Sequence, residues 1–231
     1  MKLGSIGAMD VEVAILKEKM TDKAVTRRAG RDYCEGKLHG LDVVIVQCGV
    51  GKVHAAMCTQ TLCDVYGVTH IVNTGIAGSL DAALDIGDVV VSRDAMYHDF
   101  DCVHFGYPAG KVPGQEVIAF PADEKMMALA LQASETVNPG HARIGRVATG
   151  DLFVASREQK QRIIDLTGAQ CTEMEGGAIA QVAYTNGVPF VILRAISDKA
   201  DDSAEMDYPT FEKKAAEHCA AVTELLAKAL S

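Results

Sequence analysis

Tryptophan is absent from this 231-residue chain, and six tyrosines and six phenylalanines bring aromatics to only 5%. With 48% of residues hydrophobic, the interior has to be built from aliphatic side chains, as it is where helices pack on sheets. Paired cysteine motifs are missing as well: the seven cysteines are scattered, with no C-x-x-C. That argues against a disulfide framework or a zinc ribbon and reads as the reduced thiols of a cytoplasmic protein. The histidines lack ligand spacing, so no metal is expected. Basic clusters are also absent, and 22 Lys and Arg against 31 Asp and Glu leave a net charge of -9. A nucleic-acid partner, which needs a basic face, is not expected. No apolar run approaches the ~18 residues of a membrane span. Asp10 and Glu12 interrupt MKLGSIGAMDVEV before a signal-peptide core can form, so the expectation is a soluble, cytoplasmic chain.

What is present is an alternation of short apolar runs bounded by glycine with segments of helical period, the pattern of strands joined by crossover helices. Strands are predicted at 2–7, 41–48, 70–74, 88–94, 142–149 and 188–196, and helices at 11–19, 53–66, 123–133, 157–166, 176–186 and 208–229. The length fits one α/β domain over 1–231. The longest piece without periodicity is YHDFDCVHFGYPAGKVPG at 97–114, long enough to serve as a lid or an interface arm.

Two glycine turns invite a phosphate-cradle reading and fail it. Gly49-Val50-Gly51-Lys52 is followed by Val53 where a P-loop requires Ser or Thr, and Gly75-Ile76-Ala77-Gly78 lacks G-x-G-x-x-G. Both turns instead allow close approach of backbone to a ligand or a packed helix.

The acidic residues are ambiguous one by one. Asp10 as N-cap with Glu12 in the first turn is ordinary helix chemistry. Ser197-Asp198 ends the apolar run VPFVILRAI, a place that caps a turn or collects ligand groups. Glu173 and Glu175 in CTEMEGGAIA form a helix-start network with Arg194, or hold a polar ligand, because a buried carboxylate needs partners. Their shared placement is more telling: Glu12, Glu175 and Asp198 all fall at predicted strand-to-helix turns, where one sheet edge gathers ligand-binding groups.

IGAMDVEV, CGVGKVHAA, NTGIAG, YHDFD, FGY, TGDLF, TEMEG and VPFVILRAISDKAD occur in this order along nearly the whole chain. The set resembles the 5'-methylthioadenosine/S-adenosylhomocysteine nucleosidase family of the purine nucleoside phosphorylase-like superfamily. The resemblance implies a single-domain, three-layer α/β/α fold around a central mixed, twisted sheet. It implies hydrolysis of the N-glycosidic bond between adenine and a 5'-thio-substituted ribose, without cofactor or metal. By the resemblance, Asp198 is the general acid at adenine N7, oriented by Ser197, and Glu12 activates the attacking water. Glu175 binds the ribose hydroxyls, with Met174 on the sugar, Glu173 beside it and Arg194 ordering the group. Phe153 stacks on the purine, Val154 reads its edge, and Ala77 and Gly78 approach the substrate. Met9, Val50 and Tyr208 line a 5'-alkylthio pocket completed by Phe105 and Pro113 of a second subunit in a homodimer. Ile76 stands where the family commonly has serine, and Cys102 and Tyr208 where an aliphatic residue and a phenylalanine are more usual.

Two rival readings stay open. A phosphorylase of the same fold needs cations around its nucleophile, where this chain has Glu12 and a glycine turn. A non-catalytic nucleoside-binding protein on the same scaffold would have little use for both an acid and a base.

Overall fold

Runs rich in Val and Ile form the inner strands, because β-branched side chains suit a pleated surface buried on both sides. In the computed structural model, which describes residues 1–231 apart from the side chains of Glu205 and Met206, chain order begins β1 (Lys2–Gly7), α1 (Asp10–Lys19), β2 (Thr21–Arg28), β3 (Arg31–Leu38), β4 (Leu41–Gln47), α2 (Lys52–Asp64), β5 (His70–Ser79) and β6 (Val89–Tyr97). After a short 3-10 turn at Val103–Phe105 come β7 (Phe120–Pro121), α3 (Glu124–Val137), β8 (Ala142–Thr149), α4 (Arg157–Thr167), β9 (Cys171–Glu173), α5 (Gly176–Thr185), β10 (Phe190–Asp198) and α6 (Ala204–Leu230).

Alternate side chains of the inner strands feed two cores. Val44, Val46, Ile71 and Ile192 pack with Ala55, Leu62 and Ile179 of α2 and α5. Val43, Ile45, Val72 and Leu193 face Leu16, Met126, Ala216 and Cys219 of α1, α3 and α6. The sheet is therefore sandwiched between helix layers, the α/β/α arrangement expected. It is mixed: β1 runs parallel to β4 and β5, and β5 parallel to β10, while β10 meets β6 antiparallel. β6–β8 and β8–β9 are parallel, and β9 returns antiparallel to β5, so that β5, β10, β6, β8 and β9 close on themselves.

That closure creates the feature on which the site depends. One edge of β5 pairs with β1 only as far as Asn73 and resumes with β9 only at Gly78. Between them the Thr74–Ala77 backbone has no strand beside it on that edge, and the chain ends of β1, β4 and β9 converge on the gap.

Several predicted elements differ. The chain between 21 and 38, for which no element is predicted, forms the hairpin β2–β3, turning through Ala29 and Gly30 with φ of 46 and 76. β5 and β6 run past their predicted ends to Ser79 and Tyr97. Helix α1 takes Met9 as its N-cap, and the Asp10 N-cap reading is thereby corrected: Asp10 is already helical, and the carboxylate that serves the N–H groups just before it is that of Glu12.

Candidate active site

Four carboxylates reach the gap, each held by backbone N–H groups left free of the ladder. Glu12, in the first turn of α1, accepts from Ala8 N at 2.6 Å and Met9 N at 2.9 Å with Oε2, and from Ile76 N at 3.1 Å with Oε1. The Ile76 N–H belongs to the unpaired edge of β5. Gly75 is obligatory beside it, since a Cβ there would lie 2.5 Å from Glu12 Oε1 and 2.9 Å from Arg194 Nη1.

Glu173 closes β9 and accepts from Glu175 N at 3.1 Å and Gly176 N at 2.7 Å, so it serves the start of α5; the Thr149 hydroxyl donates to its other oxygen. Behind it lies Arg194, whose side chain is 2% exposed; its Nη2 stands 2.5 Å from both Glu173 Oε2 and Asn73 Oδ1. Burial opposes the arginine's charge, but Glu173, Glu12 and Glu175 outweigh it and raise its pKa further. Glu175, at the N-cap of α5, accepts the Gly51 N–H at 2.8 Å across 124 residues of sequence.

Asp198 ends β10 at a bulge opposite Gly78. Its Oδ1 accepts from Ala200 N and its Oδ2 from the Ser197 hydroxyl, both at 2.8 Å. The Ala200 bond is the turn-capping arrangement weighed above, and it leaves the carboxyl on the cavity wall. Gly78 cannot carry a side chain, because a Cβ would meet Asp198 Oδ1 and Ala200 Cβ at 2.8 Å each.

Burial pushes the Glu12 carboxyl up, with Arg194 and the three N–H groups pulling it back. Glu175 is pushed to about 8 by burial and by the charge of Glu173, against Arg194 and the Gly51 N–H. Asp198 is raised by burial, against its bonds from Ala200 and Ser197. Desolvation is the dominant cause in all three, as expected for carboxyls taken from water into apolar surroundings.

The cavity between these groups has a volume of about 480 Å³, the size of a small-molecule site. Of the sequence-predicted residues, Met9, Glu12, Val50, Ala77, Gly78, Phe153, Val154, Glu173, Met174, Glu175, Ser197, Asp198 and Tyr208 line it. Phe153 and Tyr208 meet edge to face, with ring centroids 5.6 Å apart, and the Tyr208 hydroxyl lies 3.2 Å from Met9 Sδ. Arg194 is behind the wall. Phe105 is 78% exposed and Pro113 is exposed too; both stand outside this chain's cavity on the 97–114 segment.

Ala8, Leu152, Thr172 and Pro209 also line the cavity without having been singled out for it, as does Ile76, noted above as the departure from the family's serine. Leu152 was within reach of sequence reasoning, as the neighbour of Phe153 in GDLF. Asn73 and Thr149, which hold Arg194 and Glu173, open the NTGIAG and TGDLF stretches, but nothing in those stretches marks them for that role. Among the described lining residues none is Lys, Arg or His.

Residues 2–230 match the profile of the Phosphorylase superfamily. A 5'-methylthioadenosine/S-adenosylhomocysteine nucleosidase of Staphylococcus haemolyticus is 39% identical over 99% of this chain and 100% of its own. The structure of such a nucleosidase from Colwellia psychrerythraea, in complex with adenine, superposes with a TM-score of 0.95 at 40% identity, covering 98% of this chain and 94% of that one. A futalosine hydrolase of Helicobacter pylori reaches a TM-score of 0.93 at 32% identity over 98% of this chain and 97% of its own. This chain belongs to the phosphorylase superfamily and, within it, to the family of 5'-methylthioadenosine/S-adenosylhomocysteine nucleosidases.

Proposed function

We propose that this chain hydrolyses the N-glycosidic bond of 5'-methylthioadenosine, S-adenosylhomocysteine and related 5'-substituted adenosines, releasing adenine. The observation that carries the reading is the meeting of Glu12, Glu175 and Asp198 in one cavity whose described lining residues include four carboxylates and no cation. Phosphate as nucleophile would be repelled there, whereas water is not. Arg194 offers no remedy, being spent on Glu173 and Asn73.

As the C1'–N9 bond breaks, its electron pair moves to the purine and the ribose becomes cationic. Asp198, whose carboxyl burial pushes above its ordinary value, gives its proton to N7 and makes adenine a neutral leaving group; the Ser197 hydroxyl fixes its orientation. A positioned acid is worth ~10² to 10⁴ in rate. Glu12 takes a proton from the water that adds to C1', its carboxylate aimed by three backbone N–H groups. In its ionised form Glu175 accepts from the ribose hydroxyls and, with Glu173, places negative charge beneath a cation absent from the ground state, which favours the transition state selectively.

Phe153 stacks on the base, Val154 reads its edge through the backbone, and Ala77 and Gly78 permit close approach. Met174 packs on the sugar, and Met9, Val50 and Tyr208 receive the 5' substituent. A second copy of the chain contributes Phe105 and Pro113 to the open end; the exposure of Phe105 beside Val103 and Tyr107, apolar surface without a partner in one chain, favours this homodimer. Cytoplasmic residence is in keeping with seven free cysteines.

Incubation with 5'-methylthioadenosine, with and without phosphate, tests the reading. Adenine and free methylthioribose formed at the same rate in both conditions are expected. A sugar 1-phosphate would make the protein a phosphorylase, and an intact nucleoside would make it a binding protein.

A further inference from the structure

Helix α2 starts without any cap of its own. Gly51 is its N-cap, with φ of 97, and its first turn contains no acidic residue. The missing acceptor comes from a segment 99 residues away: Asp151 Oδ1 accepts the Lys52 N–H at 2.9 Å, and its Oδ2 stands 3.7 Å from Lys52 Nζ. Asp99 locks the pair. Its Oδ2 accepts both Lys52 Nζ at 2.6 Å and the Asp151 N–H at 2.9 Å, and Lys52 Nζ lies 5.4 Å from the centre of the Tyr97 ring.

The two segments so joined each carry part of the cavity wall. On one side, Gly51 directs its N–H to Glu175, and Val50 lines the pocket. On the other, Asp151 immediately precedes Leu152, Phe153 and Val154, of which Leu152 and Phe153 are 41% and 45% exposed. An exposed loop of this kind is fixed by its hydrogen bonds more than by packing, and the two bonds nearest Phe153 on its N-terminal side are Gly150 N to Glu173 O and Asp151 N to Asp99.

We propose that Asp151, clasped by Lys52 and Asp99, is a positioning residue: by capping α2 it holds the Gly51 N–H on Glu175 while it sets the loop that presents Phe153. The inference rests on the nucleosidase reading for what the two segments bind, the sugar and the base. Carboxylate and carboxamide oxygens cap helices about equally well, and alanine does not. Asp151→Asn therefore retains the acceptor for the Lys52 N–H, and Asp151→Ala removes it.

Steady-state kinetics on 5'-methylthioadenosine and calorimetric titration with adenine test this on the full chain. Asp151→Ala should lower kcat/KM and weaken adenine binding by about 3- to 30-fold, the value of one helix cap, while Asp151→Asn stays within about twofold of the parent. A role confined to folding would change melting temperature without this split between Ala and Asn. Where Asp151→Ala melts below the assay temperature, Asp99→Ala removes the acceptor for the Asp151 N–H and Lys52 Nζ and should weaken adenine binding in the same direction. Parental kinetics in Asp151→Ala, or an Asp151→Asn as impaired as Asp151→Ala, would overturn the proposal. A parent chain that binds adenine without turnover defeats the nucleosidase reading and leaves the calorimetric comparison to decide the clasp; one that does neither defeats both.

Discussion

Replacing Arg194 with methionine keeps most of the side chain's length and removes the one cation behind the carboxylate cluster. The Nη2 atom stands 2.5 Å from Glu173 and from Asn73, and the side chain is 2% exposed, so neither partner can turn to water when it goes. Deleting one member of a buried ion pair costs about 3 to 5 kcal/mol, most of it the desolvation of the partner left behind. For a chain of this size each kcal/mol lowers Tm by about 2 to 4 °C, so calorimetry of Arg194→Met should show a fall of about 6 to 20 °C. The same change removes the charge that opposes the rise in the pKa values of Glu12 and Glu175. Both then hold their protons to higher pH, and the rise of kcat/KM with pH should move upward. Adding Glu173→Gln to Arg194→Met removes the orphaned charge and should recover about 1 to 3 kcal/mol, the coupling expected of neighbours in one network. A fall in Tm under 2 °C, or a double variant no more stable than Arg194→Met, would refute the argument that Arg194 compensates the buried acids.

Asp198→Asn should lower kcat by ~10² to 10⁴, and in the parent kcat/KM should decline as pH rises through the raised pKa of Asp198, since the acid form is the working one; an unchanged rate in the variant would remove its role. Phe105→Ala alters no group lining this chain's own cavity, yet it should raise KM for 5'-methylthioadenosine if a second copy lends that ring, and sedimentation should report a dimer; an unaltered KM would refute the shared site. The ligand-free protein should lose stability between about pH 6.5 and 8. Glu175, with a folded pKa of about 8 against 4.5 unfolded, binds its proton more tightly when folded, so its contribution is complete below 4.5 and is lost as pH rises through 8. Glu12 and Asp198 act in the same sense. His70 and His98, depressed by burial, act oppositely, but their contribution is complete above their unfolded value of about 6.5. A Tm flat or rising across that window would contradict the assignment.

The parts of the fold legible in the sequence are those with a strong local period. β1 and β8 match their predicted spans, and α1, α2 and α5 fall within two residues of theirs, because apolar alternation and an Asn-Gly-x-Pro exit are local signals. The hairpin β2–β3 escaped because TDKAVTRR is exposed along nearly its whole length, so no side-chain alternation marks it. Its turn, with positive φ at both Ala29 and Gly30, is the type that twists strands into a hairpin, but Ala-Gly is a weaker signal than Asn-Gly. The acids of the site were visible as acids at strand ends. Their anchors were not, since the Gly51 N–H, Asn73 and Thr149 are ordinary residues until the sheet closes and brings them within reach.

The closure also explains why four carboxylates can sit where burial disfavours them. A backbone N–H without a strand beside it and a carboxylate without a cation are each unfavourable inside a protein, and each is satisfied by the other. Ile76 N is free because β5 has no neighbour between Asn73 and Gly78, Gly51 N because α2 has just begun, Glu175 N and Gly176 N because α5 is beginning, and Ala200 N because β10 has ended at a bulge. Each interruption takes one acid and keeps it on the cavity wall. Strand pairing that ran unbroken along β5 would take the Ile76 N–H from Glu12, and helices that began elsewhere would take the donors of Glu173 and Glu175. The gap in the sheet and the helix starts around it are together the condition for the charge, and the charge is what a cationic sugar would meet there.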